Sequence, residues 1–157
     1  MKYRVATITR GARFRYSVRL KMKLMIVDDH PGVRNLIYQL LATRSDAVCE
    51  CNTGIEAVRL APYFQPDFVT VDLRMPGPDG LSTARALRHA HPEAKIIIVS
   101  GFDEPELRLA AKAAGAIAYV KKENLEELRA IVLGGKPAHP PAAPRVDPAT
   151  ERTGELG

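Results

Sequence analysis

The chain has 157 residues, 46% hydrophobic and 26% charged, which suits one folded domain with an ordinary core and some appendage. No apolar run approaches the ~20 residues that cross a bilayer, and no signal-peptide segment opens the chain, so neither a membrane nor secretion is expected and a cytoplasmic setting is. The net charge of +5 is unevenly placed: residues 1–23 hold eight Lys/Arg and no Asp/Glu, and the other 134 residues hold 15 basic and 18 acidic groups. An argument for nucleic acid from charge would apply to the leader alone.

Residues 1–22 alternate basic with apolar or aromatic residues, as in RFRYSVRLK. That pattern suits a strand, an arm that touches phosphates, or a solvated segment. Met22 or Met25 would also make a natural start, so a mis-called start is a further alternative. From Leu24 the pattern becomes regular. LMIV is a short apolar run of the kind buried on both faces of a sheet, and it ends in Asp28-Asp29. Pro31 suits a helix's first turn, and Val33, Leu36, Ile37, Leu40 and Leu41 follow at the spacing of one apolar face. Ala47 to Cys51 reads as a second strand. Cys49 and Cys51 would point the same way on it, but bridging two residues apart in an extended strand is strained, so buried reduced thiols are expected. Two thiols alone do not make a metal site.

Thr53 and Glu56 have capping-box spacing at the head of a second helix, which Pro62 ends or just outlies. Phe68 to Val71 is a third strand, ending at Asp72. The turn in VDLRMPGPDG leads to a third helix, about Leu81 to His89, with Leu81, Ala84 and Leu87 inward. KIIIV, Lys95 to Val99, is a β-branched fourth strand. Asp103 and Glu106 repeat the capping-box spacing, Pro105 fits the first turn, and Gly115 closes a fourth helix. Ile117 to Val120 is a fifth strand. Asn124 and Glu127 cap a last helix with Leu125, Leu128 and Val132 inward, and Gly134-Gly135 stops it. Strand and helix alternate five times, which predicts an α/β fold, a doubly wound five-stranded parallel sheet with helices on both faces. The domain is expected at 23–135, after the extension at 1–22 and before a disordered tail at 136–157 that holds five prolines.

Strand ends carry groups that an apolar core does not explain: Asp28 and Asp29, Asp72, and Ser100, with Lys122 just after the fifth strand. In a parallel sheet these ends share one rim. Singly, each has an ordinary explanation as a cap, a turn or a solvated lysine. Together they make a chemical set. Three close carboxylates need a cation, and a hard, octahedral Mg²⁺ is the natural one. Lysine and a hydroxyl suit phosphoryl oxygens. The set reads as a phosphoryl-transfer site that works by positioning and charge neutralisation, with Asp72 as acceptor. The four histidines have no metal spacing and receive no role.

Over residues 24–133 the combination IVDDH, VDLRMPGPDG, IIIVSG and GAIAYVKK resembles the receiver domain of two-component response regulators. The resemblance implies a (βα)5 flavodoxin-like fold with strand order 2-1-3-4-5. It implies that Asp72 takes a phosphoryl group from a sensor histidine kinase or phosphotransfer protein, and that Mg²⁺ is held by Asp28, Asp29, Asp72 and the backbone carbonyl of Arg74. Ser100 would bond the phosphoryl group, and Lys122 rather than Lys121 would pair with it, because the family's lysine lies three residues after the aromatic of the last strand, here Tyr119. Tyr119 resembles the aromatic switch residue that follows Ser100, and the output surface would lie around helix four and strand five. Such a protein is a phosphoacceptor signalling domain rather than an enzyme, and a phosphorylation-linked homodimer is compatible with it.

Two departures bear on function. Ser100 stands where threonine is commoner, which keeps the hydroxyl. The wording resembles receivers joined to a helix-turn-helix output, but only the proline-rich stretch follows Gly135, so nucleic-acid binding is not expected without another domain. One alternative is a transcriptional regulator whose DNA-binding output is lost or separate. The other is an aspartate-nucleophile phosphatase, which would carry a second carboxylate two residues after the first; position 74 is arginine. The absence of a G-x-G-x-x-G or Walker A loop leaves a nucleotide-binding reading to the fold alone.

Overall fold

A computed structural model of the chain describes residues 3–4, 22–42 and 47–134. The elements run β1 (Tyr3–Arg4), β2 (Lys23–Val27), α1 (Pro31–Leu41), β3 (Ala47–Cys51), α2 (Gly54–Phe64), β4 (Phe68–Asp72), α3 (Gly80–Ala90), β5 (Lys95–Ser100), α4 (Pro105–Ala113), β6 (Ala118–Lys121) and α5 (Leu125–Leu133). The sheet order is β1-β3-β2-β4-β5-β6. Strands β2 to β6 are parallel throughout, and in their own chain order they read 2-1-3-4-5. The two-residue β1 lies antiparallel on β3, pairing Tyr3 with Cys49. Apart from Tyr3, Arg4 and Met22, the basic extension lies outside the described residues, as does the proline-rich tail.

Period-two alternation splits the core in two. Met25, Val27, Val69, Val71, Ile96 and Ile98 face α2, α3 and α4. Leu24, Ile26, Ile97, Val99 and Val120 face α1 and α5. Burial on both sides is why these strands read as continuous apolar runs. Cys49 and Cys51 lie on the same side with Sγ atoms 4.0 Å apart, both buried free thiols.

Local chemistry sets the helix ends. The Thr53 hydroxyl accepts from Glu56 N–H at 3.2 Å, and the Glu56 carboxylate reaches back to Asn52 N–H at 3.0 Å. Asp79 caps α3 by accepting from Ser82 N–H at 2.7 Å. Gly115, at φ +93°, and Gly134, at φ +72°, supply the left-handed turns after α4 and α5.

Several local expectations are corrected. α2 runs through Pro62 to Phe64, because a proline in the last turn forfeits only one helical bond and Gln65 closes the helix in the left-handed region at φ 53°. Asp103 does not cap α4. Pro105 takes the first helical position, Glu104 becomes the N-cap, and Asp103 pairs instead with Arg108. Asn124 precedes α5, but its amide donates to the Glu127 carboxylate at 3.1 Å rather than capping a backbone N–H. The last strand opens at Ala118, leaving Ile117 exposed. Leu36 is 54% exposed: the buried arc of α1 centres on Ile37 and Leu41, about 120° around the helix from Leu36.

Candidate functional site

The chain first builds outward from β2 to β3, then returns past β2 to lay down β4. This reversal leaves a crevice between the carboxyl ends of β2 and β4, the usual place for a ligand in an open α/β sheet. Val27 pairs with Val71, so the next residues, Asp28 and Asp72, stand side by side there. Asp28 is held by its backbone as well as by burial. Its N–H donates to Cys51 O at 3.1 Å, and its carbonyl accepts from Arg34 of α1 at 2.7 Å. His30 N–H donates to its Oδ1 at 2.8 Å.

Lys122 arrives from the far side. Its N–H donates to Ser100 O at 2.8 Å, which carries the β5–β6 ladder one residue past Lys121. Its Nζ lies 2.9 Å from Asp28 Oδ2 and 3.1 Å from Asp72 Oδ1. Lys121 points elsewhere, toward Asp103 at 3.7 Å and Glu123 at 4.0 Å. The ammonium therefore bridges two carboxylates that sequence separates by 44 residues. Asp28 and Asp72 are buried, and so is Ser100, whose Oγ accepts from Phe102 N–H at 3.1 Å. Burial pushes the Asp72 carboxyl above the ordinary range, against the Lys122 hydrogen bond and charge and with the Asp28 charge. Burial alone would lower Lys122, but its hydrogen bonds to Asp28 and Asp72 and their charges outweigh that and hold it above the usual lysine range.

The remaining predicted residues form the rim. Asp29 is partly exposed beside Asp28. Arg74 directs its backbone N–H toward Asp72, and its guanidinium stacks 3.8 Å from the centre of the Phe102 ring. Tyr119 is buried, its hydroxyl donating to Phe102 O at 2.8 Å, while Arg108 donates to the Tyr119 carbonyl at 3.2 Å. One hydroxyl thus ties β6 to the loop that follows Ser100. Gly80 seals the floor: a Cβ there would lie 2.2 Å from Asp72 O, so only glycine lets α3 start this close to β4.

The donor set fits a divalent cation. Asp28 Oδ2 is buried with the Lys122 ammonium 2.9 Å away, and the carboxylates gathered here are the hard oxygen donors such an ion takes. Among the described residues the donor atoms that converge within 4.8 Å are those of Asp28, Asp29 and His30. Asp72 stands outside that group and faces Lys122. The convergence of His30 is the feature that sequence reasoning passed over. The signal available was its place immediately after two acids, rather than any i,i+4 spacing.

The sequence profile of the response regulator receiver domain family matches residues 24–133. The chain belongs to that family, and this receiver is a signalling domain of two-component phosphorelays. It is 38% identical over 121 residues to the nitrate/nitrite response regulator protein NarP of Escherichia coli, covering 73% of this chain and 56% of that one. Two solved structures superpose well. A response regulator protein from Burkholderia pseudomallei, crystallised with a phosphorylated aspartic acid, calcium ion and citrate, gives a TM-score of 0.66 at 27% identity, over 71% of this chain and 66% of the other. A DNA-binding response regulator of the LuxR family from Staphylococcus aureus gives 0.64 at 30% identity, over 73% and 98%. The chain spans about half the length of the curated regulators it matches. Among the described residues no helix is long and apolar enough to cross a membrane.

Proposed function

We propose that Asp72 is the phosphoryl acceptor of this receiver, loaded by a phosphohistidine on a sensor kinase or phosphotransfer protein. The observation that carries it is the Lys122 ammonium set between Asp28 and Asp72, 2.9 and 3.1 Å away, at the sheet's switch point. An Asp72 oxygen attacks phosphorus, the P–N bond breaks, and the leaving imidazole keeps the electron pair. Lys122 neutralises charge on the transferred group, and its raised proton affinity keeps it cationic. The residues that would hold Mg²⁺ are Asp28, Asp29, Asp72 and the backbone carbonyl of Arg74; when bound, the ion neutralises charge on the phosphoryl oxygens. In this reading Ser100 moves toward the phosphoryl group and donates its hydroxyl to it, carrying along Phe102, whose N–H its Oγ accepts. The Tyr119–Phe102 bond would pass that movement to α4 and β6, where a protein partner docks.

The test is labelling by a small phosphodonor. Label should enter only with Mg²⁺ and should vanish in Asp72→Asn. Label that survives in Asp72→Asn sinks the assignment.

A second reading concerns output. The Staphylococcus aureus regulator is described as DNA-binding, and the curated relatives are about twice as long as the matched region. Transcriptional control through a DNA-binding domain or partner is therefore the favoured consequence of phosphorylation. A gel-shift with and without residues 1–21 separates this from direct DNA contact by the basic extension.

A further inference from the structure

The groove between α2 and α3 is left partly open. Both helices follow strands of one parallel sheet and pack on the same face of it, so they run in the same sense. They meet where Gly54 opens α2, so closely that a Cβ on Gly54 would collide with the Thr83 hydroxyl. Beside that contact lies a cleft of about 370 Å³, walled by Ile55 and Val58 from α2 and by Pro78 and Ala86 from the turn before α3 and from α3 itself. Ile55 stands 65% exposed at its lip. A cleft of this size with an apolar lining and a few polar groups has the build of a small-molecule pocket.

Two polar groups decide what it would hold. Thr83 lines the cleft and is buried, and its Oγ1 has no hydrogen-bond partner. A buried hydroxyl left unpaired is costly, and native proteins rarely leave one without a partner. Arg59 also lines the cleft; it is exposed, and its guanidinium pairs with no carboxylate among the described residues. The acids near by in sequence are engaged elsewhere, Glu56 with Asn52 N–H and Asp79 with Ser82 N–H. A single planar guanidinium matches a single carboxylate. Gly54, which Thr83 touches, precedes Arg59 by five residues, or about 7.5 Å of helix. A fused bicyclic aromatic holds polar groups at its two ends across a comparable length. We infer that this cleft is a binding site for a small aromatic carboxylic acid that also carries a hydroxyl, with Arg59 pairing the carboxylate and Thr83 bonding the hydroxyl. The cleft is separate from Asp28, Asp72 and Lys122, and the inference does not rest on the phosphoacceptor reading.

The probes are 6-hydroxy-2-naphthoate, 2-naphthoate without the hydroxyl, and 2-naphthol without the carboxylate. Each is titrated into the full chain and followed by the methyl resonances of Ile55, Val58 and Ala86. The hydroxy acid should bind tightest and shift these methyls. Arg59→Gln should weaken the hydroxy acid by about fivefold, the upper end for an exposed ion pair, and leave 2-naphthol unchanged. Thr83→Val, which keeps the side chain's shape, should erase the advantage of the hydroxy acid over 2-naphthoate while the circular dichroism stays the same. Absence of shifts at these methyls up to the solubility of the probes overturns the inference. So does an affinity for the hydroxy acid that either variant leaves unchanged. Wild-type binding of 2-naphthol as tight as that of the acids overturns it as well, and would mark the cleft as a seat for an apolar side chain of a protein partner. That ranking needs no variant, so the inference stays testable even if Thr83→Val fails to fold.

Discussion

At the scale of single residues the site is a balance between burial and pairing. Asp72 shows the cost of burial, since its carboxyl is held above its ordinary range although a lysine sits 3.1 Å away. A raised folded-state value means that the folded chain binds this proton more tightly than the unfolded chain. Ionised Asp72 therefore costs stability at pH above its folded value, and the cost disappears below about pH 3.9, where both states are protonated. Asp72→Asn should accordingly raise the metal-free melting temperature near neutral pH, with the gain shrinking as pH falls; thermal melts across that range check it. Lys122 has the opposite sign. Its raised folded value contributes stability that is complete below the unfolded value of about 10.4 and is lost as pH rises through the folded value. Lys122→Met should cost roughly 1–3 kcal/mol in urea denaturation at neutral pH, by leaving buried carboxylate oxygens unpaired.

Elements place these residues, and their ends are where local rules succeed or fail. Thr53 caps α2 as its spacing to Glu56 predicts, with the Glu56 carboxylate reaching one residue further back to Asn52 N–H, and Thr53→Ala should cost about 1 kcal/mol, measurable by chemical denaturation. Asp103 and Glu106 have the same spacing and form no such cap, because Pro105 fixes the helix start one residue later and Arg108 captures Asp103. Spacing alone could not separate these cases, since the difference lies in what else each side chain can reach. The third helix is set by close approach. Gly80→Ala would drive a methyl group into the backbone of Asp72 and Leu73, so it should cost about 1–3 kcal/mol and slow labelling of Asp72, checked by denaturation and phosphodonor kinetics. Leu36 fits the apolar period of α1 yet faces outward, since a period locates a stripe but not which part of it meets the sheet.

For the whole molecule the expected consequence of the proposed metal position is a stability that depends on ions. Divalent cation binding to the folded chain alone should add about 2.7 kcal/mol at a hundredfold excess over Kd, seen as a rise in melting temperature. No shift at millimolar Mg²⁺ or Mn²⁺ would count against a metal position. The fold was open to sequence reasoning because each parallel strand, buried on both faces, is an unbroken apolar run, and each helix between them has its own start and stop signals. The candidate residues were open to it for a related reason: a polar group ending such a run has no place in an apolar core, and a parallel sheet gathers those ends on one rim. Sequence by itself therefore determined the alternation of elements, the parallel sheet and the identity of the acids, hydroxyl and lysine at its edge. Only the tertiary structure decided that Lys122 bridges Asp28 and Asp72, that Arg74 stacks on Phe102, that Tyr119 bonds the Phe102 carbonyl, and that His30 turns in beside the acids. These are distances of a few ångströms between groups far apart in the chain, or turns of a backbone leaving a strand. They depend on the register of neighbouring strands and on one hydrogen bond at Asp28, which no local period encodes.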